Sequence, residues 1–207
     1  MTDIYHITHV QNLESIIRFG GLFCDRVAAE QRLQSIGIAH SHIKERRSRR
    51  RVPTSRRGTL ADYVPFYFAP RSPMLYSIHG GYVEQFRDGQ GRVLHLVSNA
   101  EAVQAAGRAF TFTEGHGVIA YSQFYEDLAD LEKVDWAVMR STWWNDTVED
   151  MDRKRRRQAE FLVYEFFPWS LVWKIGVMDN GMVHKVNRIL EGATHRPQVA
   201  VERSWYY

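Results

Sequence analysis

EFLVYEFFPW, residues 160–169, is the stretch that decides how this chain folds, because apolar and aromatic residues follow the carboxylate of Glu160 almost without interruption. Such a run predicts a buried strand over residues 160–167. A carboxylate at the first residue of a packed strand loses hydration, so it needs either a cationic partner or a substrate hydroxyl. The basic run at residues 153–157 lies close by. An ion pair at the strand edge and a catalytic carboxylate are therefore both open interpretations of Glu160.

Shorter apolar runs elsewhere in the chain predict further elements. Apolar residues at helical spacing predict helices over residues 10–19 and 100–106. Alternating or aromatic-rich runs predict strands over residues 3–8, 64–69, 93–98 and 118–121. Because strands do not alternate regularly with long helices, an α+β fold is expected rather than a doubly wound parallel sheet.

The positive charge of the chain is concentrated in one segment. The 207 residues carry a net charge of only +3, yet residues 44–57 hold eight of the 27 lysines and arginines. Clustered cations favour a polyanionic partner such as nucleic acid or a dinucleotide pyrophosphate, although a solvated arm is the simpler alternative. The segment shows neither helical nor strand periodicity up to Pro53. It is therefore predicted to be a loop.

Several common functional motifs do not occur in the sequence. A phosphate-binding P-loop, a G-x-G-x-x-G turn, an H-E-x-x-H helix and a G-x-S-x-G elbow are all missing. The histidine pairs His6 with His9 and His40 with His42 lack further ligands at zinc spacing, so no metal is expected. A single cysteine, Cys24, and an amino terminus unlike a signal peptide predict a cytoplasmic protein without a membrane span.

Three blocks of sequence carry a resemblance to a known family. They are YHITHVQNLESIIRFGGLF at residues 5–23, YVPFYFAPRSPMLYSIHGG at residues 63–81, and RKRRRQAEFLVYEFFPW at residues 153–169. Together they resemble the DarT family, the DNA ADP-ribosyltransferase toxins of DarTG toxin–antitoxin systems. The resemblance implies an ADP-ribosyltransferase-like split β-sandwich with flanking helices, as a single domain over residues 1–207. It also implies NAD as co-substrate without a metal, transfer of ADP-ribose to thymidine in single-stranded DNA, and a macrodomain antitoxin as partner.

The resemblance also assigns roles to residues. It implies that Glu160 stabilises the oxocarbenium-like ribose and that Arg51, from a basic NAD-covering loop at about residues 38–57, assists the thymine acceptor. Arg51 could instead bind the pyrophosphate or stabilise the deprotonated base, and the run Arg49 to Arg51 leaves the register open by a residue or two. The segment at about residues 116–160 is expected to present the acceptor.

Binding residues are predicted for both substrates. Those expected to contact NAD are His6, Ile7, Thr8, Ser15, Leu22 and Arg51, with Tyr67 or Phe68 able to stack on nicotinamide. Those expected to contact DNA through cations and aromatic faces are Tyr76, His79, Trp143, Trp144, Arg153, Lys154 and Arg155. Two other functions remain open, namely an RNA-modifying transferase of the 2′-phosphotransferase kind and a nucleic-acid-binding module without catalysis.

Overall fold

A computed structural model of the chain describes residues 1–33, 35–38, 40–83 and 86–207. The described strands are β1 (Asp3–His9), β2 (Gly21–Phe23), β3 (Tyr63–Tyr67), β4 (Val93–Asn99), β5 (Phe110–His116), β6 (Phe124–Tyr125), β7 (Ala159–Tyr164), β8 (Phe166–Pro168), β9 (Lys174–Val177) and β10 (Gln198–Val201). The described helices are α1 (Leu13–Arg18), α2 (Asp25–Glu30), α3 (Ser41–Arg49), α4 (Pro73–His79), α5 (Ala100–Ala105), α6 (Trp136–Arg140), α7 (Arg153–Arg156) and α8 (Asn180–Leu190). The α+β prediction is confirmed. None of the described helices has the length and apolar character needed to cross a membrane.

Most strands belong to one mixed sheet. Eight strands are hydrogen-bonded in the order β10-β9-β4-β1-β3-β7-β5-β6, and β2 pairs with β8 in a separate two-stranded sheet. All neighbours in the large sheet are antiparallel except β9 and β10. Helices and loops pack on both sheets, whereas the description as a split β-sandwich stays a prediction.

Strand β7 lies near the middle of the large sheet, between β3 and β5. Its first five residues are all buried, which explains why the sequence there is apolar on both faces rather than alternating. The register places Glu160 opposite Tyr67 of β3, and Tyr67 in turn lies opposite Tyr5 of β1. These three side chains therefore share one face at the same end of the sheet.

A β-bulge lies beside Glu160. The pairing of β5 with β7 shifts register between Phe112 and His116, and the amide of Glu160 donates to Oγ1 of Thr113 at 3.1 Å. Bulges bend a strand and redirect its side chains, and they are frequent next to active sites. The bulge therefore fixes the backbone that carries Glu160.

Two predictions of local structure are wrong. Residues 41–49 of the arginine-rich segment form helix α3 instead of a loop, because Arg, Lys and Glu are good helix formers and no Gly or Pro interrupts them before Pro53. Residue 39 of the predicted loop at 38–57 lies outside the described residues. Residues 118–121 form a turn, not a strand, since the amide of Ile119 bonds back to the carbonyl of His116 at 2.9 Å.

Candidate active site

A cavity of about 240 Å³ lies against β1, β3 and the start of β7. Predicted site residues line it from four separate parts of the chain, and these are His6, Ile7, Thr8, Ser15, Leu22 and Glu160. Tyr67 also lines the cavity, whereas Phe68 is buried in the core against Phe112 and Phe161. The fold therefore brings the residues predicted to bind NAD together with the predicted catalytic carboxylate, apart from Arg51.

Glu160 is a buried carboxylate with one occupied and one free oxygen. Its side chain is 6% exposed, and Oε1 accepts a hydrogen bond from Nη1 of Arg47 at 2.5 Å. The other oxygen, Oε2, is buried and has no hydrogen-bond partner among the described residues. A buried carboxylate oxygen without a donor is destabilising, which is a reason to expect that a ligand group completes it.

Arg47 on α3 is the arginine that reaches Glu160. Its guanidinium is almost as buried as the carboxylate, and Nη2 also donates to the carbonyl of Leu60 at 3.4 Å. Burial opposes the charge of the guanidinium, but the charge and hydrogen bond of Glu160 outweigh it and raise the pKa of Arg47. The pair is thus a buried cation held beside a buried anion at the cavity.

Arg51, the predicted catalytic arginine, lies elsewhere. Ile43 and Arg47 both line the cavity, as expected for positions four apart on one helix face. Continuing that spacing would place residue 51 on the same face, but α3 ends at Arg49. Arg51 is exposed, is not among the residues lining the cavity, and forms an isolated backbone bridge with Thr59. Arg47 is thus the member of the arginine cluster that contacts Glu160 in this structure, and the role expected of Arg51 toward the substrates stays a prediction.

Polar contacts hold the other wall of the cavity. The ring of His6 donates through Nδ1 to the carbonyl of Pro65 at 2.8 Å, and burial lowers the pKa of His6. Asn12 donates to Thr8 Oγ1 at 3.1 Å and exchanges two bonds with the backbone of Ile36, at 2.8 and 3.0 Å. These bonds bring residues 35–38 to the cavity wall. These bonds fix the side chains of His6 and Thr8, which both line the cavity.

The turn after β5 approaches Glu160 from the remaining side. A Cβ atom placed on Gly117 would lie 2.9 Å from Oε2 of Glu160, so the backbone of this turn is next to the free oxygen. His116 precedes it, and burial lowers the pKa of His116 even though the charge of Glu160 opposes that shift. Arg50 ties the turn to the end of α3, with Nε donating to Gly117 O at 3.1 Å and Nη2 to Ala120 O at 3.2 Å.

Sequence reasoning did not single out Arg47, Arg50, His116 or Gly117 individually. Arg47 and Arg50 belong to the basic cluster that it did identify, and a helical interpretation of residues 41–49 would have turned Arg47 inward beside Ile43. No sequence signal pointed to Gly117, because its closeness to Glu160 depends on the bulge in β5.

The residues predicted to bind DNA divide into exposed and buried groups. Tyr76 is 44% exposed, Trp143 is 79% exposed, and both His79 and Lys154 are exposed. Trp144 is buried, with its Nε1 donating to Tyr207 Oη at 3.0 Å, so Trp143 is the tryptophan of the pair with an open ring, and stacking of either ring on a base stays a prediction. The sequence did indicate that two adjacent tryptophans would not both face the core.

The basic run at residues 153–157 is largely occupied within the protein. Arg155 pairs with Glu114 and with Asp152, so its guanidinium is engaged within the protein, and its contact with DNA phosphate stays a prediction. Arg153 is half-buried and donates to the carbonyl of Trp143 at 2.8 Å. Lys154 alone among the predicted basic contacts is exposed. No group of three or more metal-binding side chains occurs within the described ranges.

Comparison with known proteins places this site in a family. The DarT family model, described as "ssDNA thymidine ADP-ribosyltransferase, DarT", matches residues 5–207. A DNA ADP-ribosyl transferase from Thermus sp. (strain 2.9) is 44% identical over 208 residues, covering 100% of this chain and 96% of the relative. A second one, from Escherichia coli O127:H6, is 34% identical over 82% of this chain and 77% of its own length.

Solved structures agree with the sequence comparison. Thermus sp. 2.9 DarT in complex with ADP-ribosylated ssDNA has a TM-score of 0.93 and 43% identity, covering 100% of this chain and 96% of that one. The same protein in complex with NAD+ has a TM-score of 0.89 and 41% identity, covering 100% and 98%. With a matching family model, close relatives and the same fold over its whole length, this chain belongs to the DarT family.

Proposed function

We propose that this chain transfers ADP-ribose from NAD to thymidine in single-stranded DNA and releases nicotinamide. Membership of the DarT family supports the activity, and so do relatives above 40% identity whose structures contain NAD+ or ADP-ribosylated ssDNA. The observation in this chain that carries the proposal is the buried Oε2 of Glu160, which has no donor in the described part of the protein and belongs to a residue that lines the cavity.

NAD occupies the cavity with its nicotinamide end toward β1. The backbone around His6 and Ile7 bonds the carboxamide, while Thr8, Ser15 and Leu22 contact the remainder of the dinucleotide. Tyr67 packs against nicotinamide, which its position opposite Glu160 in the register and at the same cavity supports. The segment at 35–38 and helix α3 form the covering part of the site.

Glu160 stabilises the ribose as the glycosidic bond breaks. A ribose hydroxyl donates to Oε2, and the carboxylate charge stabilises the positive charge that develops on the sugar. Arg47 holds Oε1, which prevents the carboxylate from rotating away. The bond between the anomeric carbon and nicotinamide breaks, and nicotinamide leaves with the bonding electron pair.

An arginine of the basic cluster assists the acceptor. Arg47, which contacts Glu160, is one candidate, and Arg51, the arginine expected from the family resemblance, is the other. The imide nitrogen of thymine bonds to the anomeric carbon and its proton is lost, so negative charge develops on the base. A guanidinium is a reluctant base, but as a fixed cation it stabilises that anion and favours loss of the proton to water. Residues 116–160 supply the acceptor side of the site, beginning with His116 and Gly117 beside Glu160.

The wider assignments follow from the family. We infer a macrodomain antitoxin as partner and a cytoplasmic location, because the DarT resemblance implies a toxin controlled inside the producing cell. Co-expression provides a test, since toxicity of the chain should be relieved by a macrodomain protein that removes ADP-ribose from DNA. Relief by a macrodomain variant that binds but cannot hydrolyse ADP-ribose would contradict reversal as the mechanism.

One experiment tests the activity itself. The protein is incubated with NAD and with short single- and double-stranded DNA and RNA oligonucleotides, and the products are weighed by mass spectrometry. We expect addition of one ADP-ribose to thymidine-containing single-stranded DNA only, with Glu160→Gln as the inactive control. Modification of RNA, removal of a 2′-phosphate, or binding without NAD consumption would each support one of the alternative functions instead.

A further inference from the structure

A second cavity, of about 800 Å³, opens at the end of the sheet that carries Glu160. Tyr5 of β1 lines it, as do Phe68 and Arg71 just after β3, and Arg157 just before β7. Tyr5 pairs with Tyr67 on β3, and Tyr67 pairs with Glu160 on β7. Arg157 precedes Glu160 by three residues. The cavity is therefore a near neighbour of the candidate active site. Its size lies within the roughly 300–1,000 Å³ typical of ligand pockets.

Three arginines line this cavity, and none of them has an ion-pair partner in the part of the chain that the structure describes. They are Arg71, Arg140 and Arg157. Their neighbours behave differently, because Arg155 and Arg156 each pair with at least two carboxylates. The positive charge is thus paired at Arg155 and Arg156 but has no carboxylate partner at the three arginines of the cavity.

Arg157 is a buried cation held only by backbone carbonyls. It is 3% exposed, and Nη1 donates to the carbonyls of Val138 and Met139 at 2.6 and 2.7 Å. Nε and Nη2 donate to the carbonyl of Arg71 at 3.2 and 2.9 Å. Burial, with the charge of Arg71 added to it, lowers the pKa of Arg157 to about 10. An anion in the cavity would offset this unbalanced charge.

The backbone of Arg71 is held in place by hydrogen bonds, but its guanidinium has a donor without a partner. Its carbonyl is fixed by Arg157 and by Tyr207 Oη at 3.2 Å, and its guanidinium carbon lies 4.5 Å from the centre of the Tyr207 ring. Its Nε is buried and has no partner in the described residues. A guanidinium stacked on an aromatic ring with unused donors is well arranged to bind phosphate oxygens.

We propose that Arg71 and Arg140, supported by the buried charge of Arg157, bind a backbone phosphate of the DNA strand on one side of the target thymidine. The proposal rests on the proposed function. Aromatic faces lie beside the arginines, because the ring of Tyr76 is 5.1 Å from that of Tyr207. Cations alternating with aromatic rings are the usual composition of a single-strand binding groove. Asp3 also lines the cavity, and its carboxylate opposes phosphate binding there.

The test uses the full chain and thymidine-centred DNA oligonucleotides lengthened by one nucleotide at a time on either side. For the wild type, kcat/KM should rise when the strand becomes long enough on one side to reach the cavity. In the double variant Arg71→Gln/Arg140→Gln, that rise should be lost. Its KM for the longer strands should be about tenfold higher than that of the wild type, which corresponds to about 1.4 kcal/mol. The difference between variant and wild type should shrink as the strand is shortened.

Direct binding of the same strands without NAD, measured over a salt series, gives a second readout. The double variant should lower the log–log salt slope by about 0.7 for each phosphate contact removed. Arg188→Gln is the matched control, because Arg188 is exposed on α8, away from both cavities. Arg71→Lys keeps the charge and should recover part of the salt slope. If inorganic phosphate inhibits the modification of long strands but not of short ones, the cavity would instead be a site for free anions.

The outcomes separate the two proposals. If the wild type modifies no oligonucleotide, the proposed function fails. If it modifies them with the same length dependence and salt slope as the double variant, or with no length dependence at all, the phosphate subsite is refuted while the proposed function stands.

Discussion

Nη1 of Arg47 lies 2.5 Å from Oε1 of Glu160, while Oε2 of the same carboxylate is buried with no hydrogen-bond donor in the described residues. One oxygen is therefore used to fix the side chain and the other is left for a ligand. An ion pair that served stability alone would be expected to satisfy both oxygens, because an unpaired buried acceptor is destabilising. Both interpretations of Glu160 that the sequence left open therefore hold together, because Oε1 forms the ion pair and Oε2 is available to a ligand.

Replacing Glu160 tests the free oxygen. Glu160→Gln keeps the shape of the side chain but removes the charge, and we expect transfer of ADP-ribose to fall by about 10²-fold or more. Binding of single-stranded DNA should change little. The measurement is mass-spectrometric product formation per unit time, with circular dichroism to verify folding. Glu14→Gln, on the exposed face of α1, is the control and should retain full activity.

Arg47 and Arg51 form a second comparison, because they are four residues apart in sequence but only Arg47 contacts Glu160. Arg47→Lys keeps the charge and loses the planar fork, and it should lower transfer nearly as much as Arg47→Gln. Arg51→Gln should be close to wild type. Steady-state kinetics with NAD and a fixed oligonucleotide separates them. An inactive Arg51→Gln together with an active Arg47→Gln would return the role to Arg51.

The α+β class could be predicted from the sequence, and so could the strands that carry several of the cavity residues, because these residues lie in runs whose periodicity is plain. His6, Ile7 and Thr8 belong to a strand-forming stretch, and Glu160 begins a continuous apolar one. Such local patterns specify which elements form and which residues they carry to the sheet.

The arginines were harder to assign for a physical reason. Basic residues in 44–57 give no apolar periodicity, so neither the helix nor its end at Arg49 is visible in the pattern, although helix propensity favours it. Which arginine turns inward is then decided by a long-range ion pair with a residue 113 positions away. The same applies to Arg155, whose partner Glu114 lies 41 positions away.

Arg50 offers a test of the turn that approaches Glu160. Its two hydrogen bonds to Gly117 and Ala120 join α3 to the acceptor side of the site. We expect Arg50→Gln to raise KM for DNA about tenfold, equivalent to about 1.4 kcal/mol, with a smaller effect on KM for NAD. Arg50→Lys should recover part of the loss. The adjacent Arg49, 78% exposed and paired with Glu45, is the control, and Arg49→Gln should resemble the wild type. Equal effects of both variants would indicate general electrostatics rather than positioning.

Gly117 should be intolerant of a side chain. A Cβ there would lie 2.9 Å from Oε2 of Glu160, and 3.3 Å from a methyl carbon of Leu60, so it would occupy the approach to the free oxygen. Gly117→Ala should lower kcat by about tenfold or more while leaving the thermal midpoint nearly unchanged. Gly192→Ala is the control, because nothing lies within 4 Å of the added carbon. A fully active Gly117→Ala would show that the substrate approaches Oε2 from another direction.

The free energy of unfolding should begin to decrease on acidification at a pH above the range in which carboxylates titrate. His95 is fully buried, with Nε2 donating to the carbonyl of Pro70 at 3.0 Å, and burial lowers the pKa of His95 from 6.5 to about 4. The unfolded chain therefore takes up this proton near pH 6.5 and the folded chain only near pH 4, so the free energy of unfolding decreases as pH falls through that window. The full effect of this shift is on the order of 3 kcal/mol.

Urea denaturation at pH 7, 6 and 5 measures this dependence. His95→Gln cannot titrate, and although it should be less stable at pH 7, its free energy of unfolding should change less between pH 7 and pH 5. Burial also lowers the pKa values of His6 and His116, so part of the acid dependence should persist in the variant. The exposed His184 serves as the control, and His184→Gln should keep the wild-type slope. An unchanged slope in His95→Gln would mean that folding does not lower the pKa of His95.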